Sequence, residues 1–318
     1  MQYPWLDAPF HTLTDCYVNQ KLPHALLITG NHGVGKQTLA QQFTQFLLCL
    51  SPNNHACGQC KSCQLFIANS HPDFQIIAKE GASNTIKIDA IRQLNDFINR
   101  TAHQSHNKVI FIESSHHLNI AASNALLKTL EEPASDTYLL LTSSHPDQLL
   151  ATIKSRCQCF HIQPDLKMAT QWLSTTLNLS NNKSKALLAL AHQSPLLAQT
   201  LGSQNGLTER DLILTHLCKQ TEPITFASLL EKAPIMTTLN WLMTICIDLI
   251  KINLGADNSR LTHQDKLPQT QALAQTKTVE FLYDFLDKCQ ELKDIYQRKI
   301  NLNTLLSIES LLIYWAHD

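Results

Sequence analysis

Glycine and charge are both scarce in this sequence. The 318 residues include 8 glycines, and only 16% of the residues are charged, which leaves a net charge of −1 and a pI near 6.9. A protein that grips a nucleic-acid duplex by itself usually carries a basic excess. The composition therefore argues against a broad cationic surface and restricts any nucleic-acid contact to a local site or to one shared with partners.

The chain also lacks an opening signal for secretion. Its first ten residues, MQYPWLDAPF, contain no basic segment followed by an apolar one. Ten cysteines without such a signal indicate a reducing compartment, in which thiols are free or bound to metal. We therefore expect a cytoplasmic protein.

A long uninterrupted apolar run is missing as well. The most apolar stretch, LNWLMTICIDLIKINL (residues 239–254), is interrupted by Asn240, Thr244, Asp248 and Lys251. At helical spacing these residues form one polar stripe, and a spanning helix needs about 20 mostly apolar residues. The pattern predicts a helix packed on most of its sides in a soluble domain, and no membrane contact.

The first half of the chain alternates strand-like and helix-like runs. The strand-like runs are residues 25–29, 73–77, 108–113 and 137–143. Strands that alternate with helices predict a parallel sheet covered by helices on both faces. After about residue 164 the strand-like runs stop and leucine-rich helical patterns follow. We place domain boundaries near residues 165 and 206.

A glycine loop lies between the first strand and the first long helical run. It reads GNHGVGKQT, and the residues that could still cradle phosphates at a helix N-terminus are Gly30, Gly33, Gly35 and Lys36. The next residue normally supplies a hydroxyl that holds Mg²⁺, but here it is Gln37. Thr38 has a hydroxyl one residue later, about 100° further around the helix.

The acidic strand that should complete a nucleotide site is altered too. KVIFIE ends at Glu113 and is followed by Ser114, where a working P-loop ATPase has an aspartate and then a glutamate that polarises water. Glu113 could still touch a metal, whereas Ser114 cannot act as a base. These changes predict a chain that keeps the shape of the loop without hydrolysing ATP, and they leave ATP binding open.

Four cysteines lie close together in CLSPNNHACGQCKSCQ: Cys49, Cys57, Cys60 and Cys63. Four thiolates at this spacing match the tetrahedral preference of structural Zn²⁺ and leave no open position for catalysis. An iron–sulfur cluster usually has its fourth cysteine downstream, and a redox motif needs only two cysteines. Buried free thiols are the remaining alternative, with His55 and His71 as possible substitute ligands.

The order of these motifs resembles the delta-prime family of bacterial DNA polymerase III clamp-loader subunits. The glycine loop, the cysteine insert, HPDF, the altered acidic strand, SNALLKTLEEP (residues 123–133) and SRC (residues 155–157) follow one another as in that family. The resemblance is strong over residues 22–162 and looser beyond. The gamma/tau subunits share the cysteine insert but have a Ser or Thr after the loop lysine and Asp-Glu on the acidic strand.

The resemblance implies an architecture and a set of partners. The fold would be an AAA+ P-loop module with the zinc insert (1–165), a small helical lid (166–206) and an all-helical collar (207–318). The collar would join a five-subunit ring with gamma/tau and delta subunits, which loads the beta sliding clamp on primed DNA.

The resemblance also implies roles for single residues. Arg156 would reach in trans into the ATP site of a neighbouring subunit, and the alternative is an ordinary surface or salt-bridged arginine. Leu196 would stand where AAA+ relatives have an arginine that senses the nucleotide. Two alternatives remain: an ATP-hydrolysing motor of the gamma/tau type, with Thr38 replacing the missing hydroxyl, and an unrelated zinc-bearing nucleic-acid binder.

Overall fold

A computed structural model describes most of the chain. The described residues are 3–79, 85–98, 103–203, 206–219, 221–230, 233–297 and 302–317. They form two compact units. The first comprises residues 1–172 with 194–197, and the second comprises residues 173–193 with 198–318. The division into three domains at residues 165 and 206 stays a prediction.

The first unit contains one parallel sheet. Its strands are β1 (Ala25–Thr29), β2 (Phe74–Ile77), β3 (Lys108–Ile112), β4 (Thr137–Ser143) and β5 (Gln158–His161). They lie in the order β2-β3-β4-β1-β5, and all pairs are parallel. The central strands β1 and β3 are buried at every residue, which explains why their sequences read as continuous apolar runs rather than as alternating ones. The predicted parallel sheet is confirmed.

The first unit also contains helices, the last of which continues into the second unit. They are α1 (Asp7–Val18), α2 (Lys36–Leu48), α3 (Lys61–Ile67), α4 (Ile88–Ile98), α5 (Ile120–Glu131), α6 (Ala151–Lys154) and α7 (Leu166–Leu177). Asn119 caps α5 by accepting a hydrogen bond from the backbone N–H of Ala122 at 2.7 Å. Buried apolar side chains of α4 and α5 pack against alternate side chains of β1, β3 and β4 and form one apolar core with them. Parallel strands end at the same edge, so the loops after β1, β3 and β4 lie together there.

The second unit is helical. Its helices are α8 (Asn181–Leu190), α9 (Pro195–Ser203), α10 (Gly206–Lys219), α11 (Pro223–Leu230), α12 (Ile235–Asn253), α13 (Leu267–Ala274), α14 (Val279–Gln297) and α15 (Thr304–Ala316). The first three residues of α9 belong to the first unit. Residues of α10 to α15 share one apolar core, in which Trp241, Ile245, Leu249 and Phe285 are buried.

Helix α12 is long and apolar enough to cross a membrane by length and composition alone, with a mean hydropathy of 1.5. Half of its most apolar 18-residue stretch is buried inside the protein. Asp248 within it is fully buried and accepts hydrogen bonds from the backbone N–H groups of Thr262 and His263 at 2.8 and 2.7 Å. The predicted polar stripe is therefore not a uniformly solvated face, because at Asp248 it packs under the segment that follows the helix. These contacts are those of a core helix.

Candidate functional site

The glycine loop joins β1 to α2 and is closely enclosed. Gly30, Gly33 and Gly35 have φ angles of +147°, +84° and +95°, a region that side chains other than glycine rarely adopt. A Cβ on Gly30 would lie 2.8 Å from the carbonyl oxygen of Ile162, and one on Gly33 would lie 2.9 Å from the backbone nitrogen of Leu197. Both the conformation and the packing of the loop therefore require glycine, whether or not a nucleotide binds.

Lys36 is engaged by the loop itself. Its Nζ donates hydrogen bonds to the carbonyl oxygens of Gly30 at 2.8 Å and Asn31 at 2.7 Å, and only 8% of the residue is exposed. Burial lowers the pKa of this lysine to about 8 because the ammonium loses water that the carbonyls only partly replace. In a P-loop with bound nucleotide the lysine amino group donates to phosphate oxygens. Here it donates to two carbonyl oxygens of the loop.

Gln37 contacts the acidic residue that a metal would need. Its side-chain Nε2 donates a hydrogen bond to Oε1 of Glu113 at the end of β3. The carboxylate of Glu113 therefore accepts a hydrogen bond from an amide. In a P-loop ATPase the acidic residue at the end of this strand and a hydroxyl of the loop hold Mg²⁺. Thr38 is half-buried one residue further along α2.

The turn after β3 is tied to β4 by hydrogen bonds. Ser114 has a φ angle of +51°, and its backbone N–H donates to Oγ1 of Thr142 at 3.0 Å. Ser115 is fully buried and its hydroxyl donates to the carbonyl oxygen of Thr142 at 3.0 Å. The position where a catalytic glutamate would stand thus carries a hydroxyl in a structural turn.

Leu196 lies against the glycine loop. Its backbone N–H donates to the carbonyl oxygen of Gly33 at 3.0 Å, so the start of α9 contacts the loop directly. Leu196 is the residue that the resemblance aligns with a nucleotide-sensing arginine of AAA+ relatives. With a leucine there, this position supplies no positive charge for a phosphate group.

An aromatic cluster contacts the loop at Val34, and it was not predicted from the sequence. Nε1 of Trp5 donates to the carbonyl oxygen of Val34 at 2.9 Å. The ring of Trp5 stacks on Tyr3 with centroids 5.3 Å apart and meets Trp172 edge-on at 5.0 Å. The three rings lie some 170 residues apart along the chain at most, and aromatic residues so far apart give no periodic signal by which they could have been grouped.

Three histidines meet near the same edge of the sheet. The ring of His116 lies 4.3 Å from that of His117 and 5.2 Å from that of His145, measured between centroids. Burial, and then the positive charges of His117, His145, Lys36 and Lys79, lower the pKa of His116 to about 4. The ring of His116 is therefore neutral near pH 7. No motif in the sequence groups these three histidines.

The four predicted cysteines come together. Their sulfur atoms all lie within 4.8 Å of one another, with 4.0 Å between Cys49 and Cys60 and 4.0 Å between Cys57 and Cys63. Zn–S bonds of about 2.3 Å in a tetrahedron place the sulfurs about 3.8 Å apart. The donor set therefore fits a metal ion such as zinc.

Backbone N–H groups support the sulfurs. The N–H of Cys57 points to Sγ of Cys49 at 3.3 Å, that of Cys60 to Sγ of Cys57 at 3.3 Å, and that of Cys63 to Sγ of Cys60 at 3.4 Å. The N–H groups of Gln59 and Cys60 lower the pKa of the Cys57 thiol to about 6. These hydrogen bonds stabilise the thiolate of Cys57, whereas burial raises the pKa of the Cys49 and Cys63 thiols.

Neither candidate histidine belongs to this cluster. The ring of His55 stacks on Phe10 with centroids 4.9 Å apart. Nδ1 of His71 accepts a hydrogen bond from the backbone N–H of Asp73 at 3.0 Å, and Nε2 lies 2.7 Å from Oγ of Ser62, which itself donates to Leu48. The ring must then carry its proton on Nε2, so both nitrogens are used and no lone pair remains for a metal.

Arg156 lies in the turn between α6 and β5. Its Nη2 forms an ion pair with Oε1 of Glu131 at 2.6 Å, and its side chain is 35% exposed. Its Nη1 donates to the carbonyl oxygen of Thr152 at 3.1 Å and to Oγ of Ser155 at 3.4 Å. Neither the nucleotide-binding roles predicted above nor a role of Arg156 in trans is tested by this geometry, and both stay predictions.

The sheet order and the glycine loop after β1 define a P-loop module of the AAA+ class. A DNA polymerase III gamma subunit-related protein from Thermotoga maritima has a similar structure, with a TM-score of 0.51 and 16% identity over 96% of this chain and 99% of its own. At that identity the likeness shows the fold.

Sequence comparison then gives the family. Residues 6–166 match the family model described as DNA polymerase III, delta subunit, and residues 204–317 match that of its C-terminal region. The chain is 33% identical to DNA polymerase III subunit delta' of Escherichia coli K12, over 99% of this chain and 95% of the relative. It is 34% identical to the subunit delta' of Pseudomonas aeruginosa PAO1, over 99% and 97%. The chain belongs to the family of DNA polymerase III delta' subunits.

Proposed function

We propose that this chain is a non-hydrolysing member of a clamp-loader ring. In that ring it stands beside gamma/tau and delta subunits, joins them through its helical region at residues 207–318, and supports loading of the beta sliding clamp on primed DNA. The named relatives are subunits of DNA polymerase III, which supports a place in the cytoplasmic replication machinery. The near-neutral composition supports contact with DNA through the complex.

The hydrogen bond between Gln37 and Glu113 carries the non-hydrolysing part of the proposal. A P-loop ATPase holds Mg²⁺ between a hydroxyl and a carboxylate. Here a neutral amide replaces the hydroxyl and uses the carboxylate as its acceptor. The metal would have to displace that contact and would gain no hydroxyl ligand in return.

The surroundings of the loop support the same conclusion. Lys36 is satisfied by two carbonyl oxygens, Ser114 replaces the residue that would polarise water, and Leu196 brings no charge to the loop. Trp5 and its aromatic neighbours pack over the loop at Val34. A nucleotide would therefore meet several weakened contacts rather than one.

We propose further that the active chemical role of the chain lies in Arg156. It stands in SRC, the motif whose arginine acts in trans in the resembling family. Negative charge grows on the transferring phosphoryl group, and a guanidinium supplied by a neighbouring subunit stabilises it, by about 10³- to 10⁵-fold in rate in related systems. The effect on a ring with several ATP sites would be smaller.

The cysteine cluster is proposed to hold one structural zinc ion. All four ligands come from the protein, so the ion would have no open position for substrate and would stabilise the insert between α2 and β2. Cys49, Cys57, Cys60 and Cys63 would bind it as thiolates.

Reconstitution of the ring tests the proposal. A loader assembled from this chain with gamma/tau-type and delta-type subunits should lose much of its DNA- and clamp-stimulated ATPase activity when Arg156→Ala is introduced, while the subunits still co-elute. The matched control is Lys154→Ala, which removes a nearby cation outside SRC. Normal ATPase and clamp loading by a correctly assembled Arg156→Ala ring would contradict the role of Arg156. Failure of the unaltered chain to assemble with the other subunits would contradict its proposed place in the ring.

A further inference from the structure

The side chains of Glu131 and Arg156 form an ion pair, although the two residues lie near the ends of different helices. Glu131 is the last residue of α5, and Arg156 follows α6. The distance between Oε1 and Nη2 is 2.6 Å, with side-chain exposures of 50% and 35%. The ion pair thus joins SNALLKTLEEP to SRC, the two motifs by which the sequence resembles clamp-loader subunits.

The contacts of Arg156 are distributed unevenly over its guanidinium group. A guanidinium offers five N–H donors in a planar fork. Both hydrogen bonds of Arg156 use Nη1, to Thr152 and Ser155, and the ion pair uses Nη2. Within the described part of the chain, Nε makes no hydrogen bond to protein. Nε therefore remains for an oxygen of an incoming phosphoryl group, which a guanidinium can bind without releasing its contacts through Nη1.

We infer that Glu131 is a positioning residue for Arg156, an inference that rests on the proposed role of Arg156 in trans. A free arginine side chain loses rotamer freedom when it is fixed in a reacting complex. The carboxylate of Glu131 and the carbonyl of Thr152 hold the side chain before the neighbouring subunit arrives, so less freedom is lost at the reaction step. Glu131 does not touch the phosphoryl group in this arrangement.

A purely structural ion pair would behave differently. Exposed pairs contribute little to folding stability, so removal of the carboxylate should leave the thermal midpoint of the chain nearly unchanged. A positioning role instead changes the catalytic rate constant of the ring. Turnover therefore separates the two roles, and an unchanged thermal midpoint shows that the variant is still folded.

The test compares Glu131→Gln with Glu132→Gln in the reconstituted ring. Glu132 is the adjacent exposed residue, and its substitution changes the charge equally. We expect Glu131→Gln to lower stimulated kcat by about two- to five-fold, with KM for ATP and the thermal midpoint unchanged, and Glu132→Gln to match the unaltered ring. In an Arg156→Ala background, Glu131→Gln should cause no further loss.

The outcomes distinguish the inference from the proposal on which it rests. If Glu131→Gln has normal or increased kcat while Arg156→Ala is impaired, the positioning role is overturned and the role of Arg156 stands. If both rings have normal turnover, the two fail together. An additive loss in the double variant also overturns the inference, because Glu131 would then act independently of Arg156.

Discussion

The side-chain amide of Gln37 donates a hydrogen bond to the carboxylate of Glu113, from the start of α2 to the end of β3. Two substitutions that look independent in the sequence are thus one structural unit. Gln37 stands where a P-loop ATPase has a hydroxyl residue, and its amide satisfies the carboxylate of Glu113. The carboxylate beside the loop is therefore paired.

The first prediction concerns ATP turnover. The isolated chain should hydrolyse ATP no faster than its Lys36→Ala variant, because a hydroxyl and a water-polarising acid are both missing. The single change Gln37→Thr should not restore turnover, since Ser114 remains. Steady-state phosphate release measures both. A clear rate that disappears in Lys36→Ala would support an ATP-hydrolysing motor instead.

The second prediction concerns the metal. Protein purified without added metal should contain about one zinc per chain by elemental analysis, because four thiolates in a tetrahedron select zinc. Cys60→Ser should lower the zinc content and the thermal midpoint of the first unit. Cys159→Ser is the matched control, since Cys159 is an exposed cysteine on β5. Iron, or no metal in the unaltered protein, would contradict the zinc assignment.

The third prediction explains the aspartate of HPDF. Asp73 is 1% exposed, and its carboxylate accepts hydrogen bonds from the backbone N–H groups of His103, Gln104 and Ser105 at 2.7 to 2.8 Å. Burial alone would raise its pKa, but these N–H groups hold the pKa below its usual value. Asp73→Asn should lower stability by about 2 to 4 kcal/mol, since it breaks a buried charged network.

Scanning calorimetry measures this change and separates the transitions of the two units. A loss of that size corresponds to about 4 to 16 °C in the midpoint of a unit of this length. The control is Asp89→Asn, because Asp89 is 75% exposed and pairs only weakly with Arg92 at 3.4 Å. Equal midpoints for Asp73→Asn and Asp89→Asn would contradict the structural role of Asp73.

The fourth prediction concerns pH. His116 has a folded-state pKa of about 4, below the unfolded value of about 6.5. The unfolded chain therefore takes up a proton at higher pH than the folded chain, so the stability that depends on neutral His116 is full above pH 6.5 and falls between about pH 6.5 and 4. The ring is only partly buried, so we expect this loss to be about 1 to 2 kcal/mol after solvent screening.

Denaturant unfolding at several pH values measures that loss. His116→Gln should flatten the pH dependence of the free energy of unfolding in this window. His192→Gln is the control, because His192 is exposed and belongs to the second unit. An unchanged slope in His116→Gln would show that another group causes the acid sensitivity.

Much of the fold was accessible from the sequence because its signals are local. The apolar runs of β1, β3 and β4 needed only burial on both faces to be recognised, and their bounds differ from the prediction by at most one residue. The four cysteines lie within a segment of 15 residues, and their spacing alone predicted that they meet. The altered loop and acidic strand were equally legible, since each is a substitution within a short motif.

The contacts of the site were accessible only from the tertiary structure. Gln37 and Glu113 lie 76 residues apart, and Trp5 and Trp172 lie still further apart along the chain. His71 was a candidate ligand until both its ring nitrogens were found to be engaged. No local pattern encodes the contact of Gln37 with Glu113 or that of Trp5 with Trp172, because each depends on how distant parts of the chain pack. The hydrogen bonds of His71 depend instead on the conformation of the segment between Ser62 and Asp73.

The sequence by itself thus determined which chemical groups the chain possesses. These are four thiols at metal-binding spacing, a loop lysine followed by glutamine instead of serine or threonine, and an arginine in SRC. The tertiary structure decided what those groups contact. It directed Lys36 to the carbonyl oxygens of its own loop and Arg156 to Glu131. The physical reason is that residue type and spacing set local conformation, whereas packing brings distant polar groups together, where each must find a hydrogen-bonding partner or remain in water.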